Sequence, residues 1–357
     1  IELAEWADLI LLAPLSATSL GRWVHGLADT LVGSVLLAAA APVLAVAAMN
    51  SVMWSATPVQ RNWAELHGME GVLPLPPGRG LLACDGVGDG RMAEPERLLL
   101  ALESLACWGW QRDWSGRRLL VTAGPTLEPL DAARCLTNRS TGRMGVLLAQ
   151  AARLRGAEVE LVHGPLAVPS ALLEGLSCHP IGTAAQLQTV LRRLQPSVEA
   201  IAMAAAVADH RRIAPQAGKL AKADLEGELS GGWEPVPDLL AELVALRPPG
   251  QAILGFAAQT GDVLPEARAK LARKGCDLLF ANPIDQRGAG FGAPTNQGWL
   301  LGPGQRERGL PRSGKLALAH QLLTALAVVL PHPQASPTCG SEDVSAFAGP
   351  SHSHTGC

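Results

Sequence analysis

RLLVTAGPTLEPLDAARCLTNRSTGRMGVLLAQAARLRGAEVELV, residues 118–162, reads as strand, loop, helix, strand. An apolar run at 118–123 stops at Gly124-Pro125, an amphipathic segment covers 144–155, and a second apolar run covers 158–162. Parallel strands need a crossover, and a helix is the usual one, so this stretch is a βαβ unit. The pattern continues downstream. Apolar runs fall at 200–205, 252–257 and 277–281, a helix falls at 184–194, and a last helix at 314–330 closes the domain. Short apolar runs alternating with amphipathic helices predict a mostly parallel, doubly wound sheet over 117–330. Upstream, strands at 8–13, 42–47 and 71–75 and a helix at 94–106 repeat the theme over 1–107. The fold class is therefore α/β, with two doubly wound, Rossmann-like parallel-sheet domains. Three strands are few for such a sheet, and the chain enters its first strand soon after Ile1, so the expectation is that the first domain is incomplete and lacks its front half. Its exposed apolar edge is expected to make this segment aggregation-prone. Between the domains, the linker 108–116 carries Trp108, Trp110 and Trp114, a cluster suited to packing an interface. From 331 to 357 the composition shifts to Pro, Ser, Gly, Thr and His, which predicts a disordered tail. His352, His354 and Cys357 fall there and read as solvated residues rather than metal ligands.

Composition narrows the function classes. Of 357 residues, 48% are apolar and 17% charged, as in a well-buried globular protein. The net charge of −3 offers no basic patch for nucleic acid. Seven scattered cysteines with no CxxC pair read as reduced thiols of a cytoplasmic protein. The most apolar stretch, 31–48, contains Pro42 and fits a helix followed by a buried strand better than a membrane span. No leader with a basic start is expected.

Three segments of the second domain carry chemistry. In the first, Asn138-Arg139-Ser140-Thr141-Gly142 leads into a helix starting near Arg143. Free N–H groups and the helix dipole make such a terminus an anion site, and Arg139 and Arg143 add charge. An ordinary N-cap by Ser140 or Thr141 fits the pattern equally well. In the second, MAAAVADHRRIAPQAGKLAK (203–222), a small-residue strand delivers Asp209 to its carboxyl end, followed by a basic segment ending at Lys219 and Lys222. Small residues admit a planar base or a phosphate, and Asp209 suits a metal or a nucleotide. Lys219 suits closure over a developing charge, although a plain surface lysine fits as well. In the third, Lys270 and Lys274 lie four apart on one helix face. They suit a triphosphate, or simply a solvated face near Glu266.

In this order, VTAGPTLEPLDAARCLTNRSTGRMG, AAAVADH, GKLAK, VPDLL, GFAAQT and KLARKGCDLLFAN resemble the ligase half of the bacterial bifunctional phosphopantothenoylcysteine decarboxylase/phosphopantothenate–cysteine ligases of coenzyme A biosynthesis. The resemblance covers essentially 117–330. It implies that CTP activates the carboxylate of 4′-phosphopantothenate as an acyl-cytidylate, which the amine of cysteine then attacks. By the same resemblance Asn138 contacts the activated acyl group, and Ser140, Thr141 and Gly142 hold the substrate phosphate. Met203, Ala204, Ala205, Asp209, Pro237, Asp238, Leu239, Leu240 and Phe256 frame the nucleotide, and Lys270 and Lys274 meet the triphosphate. Lys219 is the flap lysine, acting across a homodimer, and Mg²⁺ accompanies the triphosphate with Asp209 as a candidate ligand. The chain departs from the common pattern at Leu127, where a basic residue is usual, at Cys135, where Tyr is usual, and at Gln259, where Glu is usual.

The first domain resembles the decarboxylase half of the same proteins. PLSATSLGRWVHGLADTL (14–31) sets Ser16, Thr18 and Ser19 at a strand-to-helix turn, a phosphate or flavin cradle. AAMNSVMW (47–54) brings Asn50 to a strand end, and LLACDGVGDGRMAEP (81–95) is a Gly-rich loop around Cys84. Without the resemblance, Asn50 reads as a turn residue and Cys84 as an ordinary thiol. The resemblance implies FMN-dependent decarboxylation of 4′-phosphopantothenoylcysteine, with Asn50 binding the departing carboxylate and Cys84 acting as the acid. The family's glycine- and serine-rich flavin turn and its active-site histidine have no match here, and neither His25 nor His67 stands in for the latter. An inactive decarboxylase domain that holds flavin poorly is the resulting expectation. Two other readings are a non-enzymatic flavoprotein-like regulatory subunit and a nicotinamide dehydrogenase. The ordered ligase motifs argue against the first, and the lack of a GxGxxG turn followed by an acidic residue argues against the second.

Overall fold

The computed structural model describes residues 1–81, 87–303 and 306–331. Its larger sheet has eight strands. From one edge these are Ser177–Pro180, Glu158–His163, Arg118–Ala123, Ala200–Met203, Ala252–Gln259, Leu278–Pro283, Thr295–Gly302 and Arg306–Gly314. The first six run parallel, and the last two form an antiparallel hairpin added at the far edge. Alternate residues serve the two faces, as the pleat requires. Leu119, Val121, Ala200, Ala202, Leu254 and Phe280 pack one way, under the helices Arg143–Leu154 and Lys315–Val329. Leu120, Ile201, Ile253, Leu279 and Leu301 pack the other way, under the helices Ala184–Leu194, Leu239–Ala245 and Val263–Lys274.

The sequence reading missed the edge hairpin because TNQGWLLG and RERGLPRSG carry glycine, proline and charge instead of strong alternation. Tertiary packing decides there. A Cβ on Gly298 would lie 2.1 Å from the Ala281 carbonyl oxygen, so only glycine allows the strands to approach this closely. The strand Ser177–Pro180 was also missed; it is short and only half-buried. The two-stranded ribbons 78–81/87–91, 127–129/135–137 and 210–212/233–235 were not placed either, and for the elements that were, the differences are end effects of one or two residues. The helix expected at 144–155 spans Arg143–Leu154, for example, and the strand expected at 200–205 stops at Met203, where the chain leaves the sheet for the site.

The smaller sheet has three parallel strands, Ile10–Leu15, Val43–Ala47 and Val72–Leu75, in that order. The apolar stretch 31–48 is the helix Leu31–Ala38 followed by the wholly buried strand Val43–Ala47. No helix among the described residues is long and apolar enough to cross a membrane. Ile1, Trp6, Leu31 and Val52 are exposed apolar side chains around the smaller sheet.

The helix Pro95–Trp108 joins the two parts. Arg97 pairs with Glu174 at 2.5 Å, and Ser104 shares a 2.9 Å hydrogen bond with Nε2 of His320. The Trp108 ring stacks on His320 and lies 3.6 Å from the Arg155 guanidinium, and Trp114 is fully buried. Burial, with the Arg155 charge second, pulls His320 down to about 4. The tail 332–357 lies outside the described residues.

Candidate active site

Doubly wound sheets bind ligands beyond the carboxyl ends of their strands. At that edge of the larger sheet lies a cavity of about 520 Å³. Two segments interlock to build its floor. The Ala205 amide donates to Thr122 Oγ1 at 2.9 Å, the Ala206 amide to the Gly124 carbonyl at 2.9 Å, and the Ala208 amide to Thr126 Oγ1 at 3.0 Å. Asn138 is fixed by its amide Nδ2, which donates to the carbonyls of Ala206 and Val207 at 3.2 and 3.1 Å.

The helix Arg143–Leu154 does not start with an ordinary side-chain cap. Its N-cap is Gly142, at φ 73°, which has no side chain to cap with, and the Arg143 amide makes only a long 3.5 Å bond to Thr141 Oγ1. Ser140 Oγ accepts from the Gly142 amide at 3.3 Å instead. Gly142 thus stands at the N-cap in place of the expected Ser140 or Thr141, and the helix terminus faces the cavity, where its positive end favours an anion. The left-handed φ favours glycine at 142, and a Cβ there would displace the Leu166 methyl and press on the Gly124 backbone at 3.1 Å.

Across the cavity, Lys270 Nζ donates to the Phe256 carbonyl at 3.0 Å, and Lys274 forms an ion pair with Asp238. Burial first, then the Lys274 and Arg273 charges, lower the pKa of Lys270. Burial would raise the Asp238 carboxyl, but the Lys274 and Ala241 hydrogen bonds outweigh it and hold the group below its usual range. The like charges at 270 and 274 thus coexist because each has its own acceptor.

Asn138, Ser140, Thr141, Gly142, Met203, Ala204, Ala205, Asp209, Pro237, Asp238, Leu239, Leu240, Phe256, Lys270 and Lys274 all line this one cavity. Lys219 does not; it is exposed. Its neighbour Leu220 donates its amide to Asp131 Oδ2 at 3.1 Å, which ties the segment to the 127–137 hairpin. Sequence reasoning missed Asn282, Asn296, Gly290 and Lys315, which form one wall. Asn296 Oδ1 accepts from the Gly290 amide at 3.3 Å, and the Gly290 carbonyl accepts from Lys315 Nζ at 2.9 Å. One signal was present for Lys315: a cation opening an otherwise apolar helix, against the helix dipole.

Residues 114–329 match the family described as DNA/pantothenate metabolism flavoprotein C-terminal domain, and residues 1–106 match the Flavoprotein family. The coenzyme A biosynthesis bifunctional protein CoaBC of Bacillus subtilis (strain 168) is 36% identical over 331 residues, which is 92% of this chain and 80% of that protein. The CoaBC of Mycolicibacterium smegmatis is 38% identical over 352 residues, covering 92% of this chain and 81% of its own length. The chain belongs to the CoaBC family. It has that family's function in coenzyme A biosynthesis, with ligase and decarboxylase activities. A crystal structure of the C-terminal domain of a CoaBC superposes with a TM-score of 0.50 at 27% identity, over 61% of this chain and 97% of that one.

The flavoprotein part of this CoaBC chain carries a second carboxyl-edge site. Ser16 caps the helix Ala17–Val24, accepting from the Ser19 amide at 3.2 Å, and Thr18 is exposed beside it. Asn50 caps the helix Ser51–Ser55 through a 2.8 Å bond from the Val52 amide. Leu15 and Ala47 are register partners, so both caps lie at the same end of neighbouring parallel strands. The adjacent Ser51 hydroxyl is buried with no partner among the described residues, which fits a polar ligand at this edge. Cys84 lies outside the described residues.

The match of residues 1–106 to the Flavoprotein family makes a flavin the cofactor to consider at this edge. Among the described residues, no group of three or more His, Cys, Asp or Glu could hold a metal ion. The exposed Asp209 carboxylate forms no ion pair among them. A single free carboxylate fits Mg²⁺ brought in by nucleotide phosphates rather than held in a protein cage.

Proposed function

We propose that the larger domain, 117–330, joins 4′-phosphopantothenate to cysteine at the expense of CTP. What carries this reading is that the acid's expected anchors and the nucleotide's expected anchors open into one cavity. A carboxylate oxygen of the acid attacks the α-phosphorus of CTP, and pyrophosphate leaves. The amine of cysteine then attacks the acyl carbon of the acyl-cytidylate, and CMP leaves with the bonding pair.

Each group of side chains has a task. Ser140, Thr141 and Gly142 hold the substrate phosphate at the helix terminus. Met203, Ala204 and Ala205 give the nucleotide a flat, small-residue surface, and Pro237, Asp238, Leu239, Leu240 and Phe256 close around it. Lys270 and Lys274 take the triphosphate, and Asp209 is the residue that would hold Mg²⁺, which supplies charge neutralisation when bound. Asn138 is held by two backbone carbonyls, which fixes its side chain beside the activated acyl group. Lys219 acts as a flap over a partner's cavity in a homodimer, which accounts for its exposure here.

The smaller domain, 1–107, is the decarboxylase part, joined by the 108–116 linker. Ser16, Thr18 and Ser19 would hold FMN, which when bound supplies the two-electron oxidation and reduction that the decarboxylation needs. Asn50 would bind the departing carboxylate, and Cys84 would donate the proton of the reductive step.

The test is pyrophosphate release by the purified chain with 4′-phosphopantothenate, cysteine, Mg²⁺ and CTP. Asn138→Ala and Lys219→Ala should each lower kcat by at least a hundredfold. Folded protein that releases no acid-dependent pyrophosphate would overturn the reading.

A further inference from the structure

Lys315 is a buried cation whose charge no group among the described residues answers. It is the first residue of the helix Lys315–Val329, it is 4% exposed, and it lines the cavity. Its ammonium makes one hydrogen bond, to the Gly290 carbonyl. No carboxylate pairs with it among the described residues, and the charged group that acts on it is the like-charged guanidinium of Arg143. Arg143 follows the Ser140–Gly142 loop and lines the same cavity, also without an acidic partner among the described residues. Across the cavity the situation differs, since Lys274 is already neutralised by Asp238.

Burying an ammonium beside a second cation and a helix N-terminus costs free energy unless an anion joins them. Here two cations converge on a helix terminus whose only side-chain acceptor among the described residues is a long 3.5 Å contact from the Arg143 amide to Thr141 Oγ1. That arrangement matches a doubly charged phosphate monoester, which offers two negative charges and three acceptor oxygens. A lone carboxylate would leave one cation unanswered.

We propose that Lys315, together with Arg143, completes the phosphate-monoester pocket and is the residue by which the ligase selects the phosphorylated acid over its unphosphorylated form. This rests on the reading of Ser140–Gly142 as the phosphate end of the acid site. Burial and Arg143 pull the Lys315 ammonium down to about 8, as expected for a cation waiting for its counter-charge. Lys315 is a specificity residue here: it touches the phosphate, remote from the reacting carboxyl.

The test uses the full chain with Lys315→Met, which keeps the length of the side chain, and Lys315→Arg, which keeps the charge. Pyrophosphate release is measured with 4′-phosphopantothenate, pantothenate and CTP varied in turn, and direct binding of each acid is measured by calorimetry without nucleotide. In Lys315→Met the KM and Kd for the phosphorylated acid should rise at least tenfold. The KM for CTP should stay within twofold, and kcat/KM for pantothenate should not change. Lys315→Arg should recover most of the discrimination. Three results would overturn the proposal: an unchanged KM for the phosphorylated acid, a rise in the KM for CTP instead, or an equal loss for both acids. If the unsubstituted chain binds neither acid, the ligase reading itself fails. If it binds both alike, that reading stands and the assignment of Lys315 falls.

Discussion

The cost of holding Lys315 should be measurable in the ligand-free protein. Its pKa falls from 10.5 to about 8. A difference of that size corresponds to about 3 kcal/mol of destabilisation at neutral pH, at about 1.4 kcal/mol per unit. Lys315→Met removes this cost at similar volume, but it leaves the Gly290 carbonyl without its donor, a loss of about 1–2 kcal/mol. The variant should therefore be more stable than the parent by about 1–2 kcal/mol at pH 7, a rise in apparent Tm of about 2–8 °C for a domain of this size. The sign follows from linkage. The folded pKa lies below the unfolded one, so between pH 8 and 10.5 the unfolded chain binds more protons, and the parent gains stability as pH rises. The advantage of the variant should then shrink across that window and reverse near its top, where only the lost hydrogen bond remains. The buried Cys276 thiol, which burial pushes up to about 11, titrates nearby but is common to both proteins and cancels in the difference. Thermal and urea melts of the two proteins at pH 7, 8.5 and 10, without ligands, are the assay. A variant less stable than the parent at pH 7, or a difference that does not change with pH, would refute the reasoning.

Three further outcomes are expected. Gly142→Ala forces a Cβ to 2.1 Å from Leu166 Cδ2 at φ 73°, so it should cost about 1–2 kcal/mol of stability and raise the KM for the phosphorylated acid tenfold or more; a melt and a KM matching the parent would contradict it. Lys270→Met should raise the KM for CTP by about an order of magnitude and leave that for the acid within twofold, and equal rises in both would dissolve the division of labour across the cavity. His320 is held at about 4, below its usual 6.5, so the unfolded chain binds the extra proton and stability is lost as pH falls from 6.5 toward 4. Denaturant melts over that window should show a loss of about 3 kcal/mol that His320→Asn largely abolishes; an unaltered acid profile would show that the histidine is not the source.

The parallel strands were legible because burial on both faces writes them as unbroken apolar runs, and Arg118–Ala123 and the helix Ala184–Leu194 fall where the pattern puts them. Many of the cavity-lining residues were legible as motifs because they sit at a strand end or helix start, where local geometry constrains residue type, and Lys270 and Lys274 were legible from their spacing on one helix. The strand pair Thr295–Gly302 and Arg306–Gly314 was not, since its pairing depends on a close approach to Ala281 far away in sequence. Lys219 carried a motif, but its place relative to a site was beyond the reach of motif and of a single chain alike.

By itself, then, the sequence determined the α/β class, the run of parallel strands and most of the residues that line the cavity. These depend on periodicity and on chemistry within a few neighbouring positions. Only the tertiary structure decided that Gly142 rather than Ser140 or Thr141 heads its helix, that Asp238 neutralises Lys274, and that Lys315 closes the far wall. The physical reason is that burial and charge compensation belong to groups brought together from distant segments. A lysine at the start of an apolar helix looks like a surface residue until the Gly290 loop and the Arg143 helix enclose it.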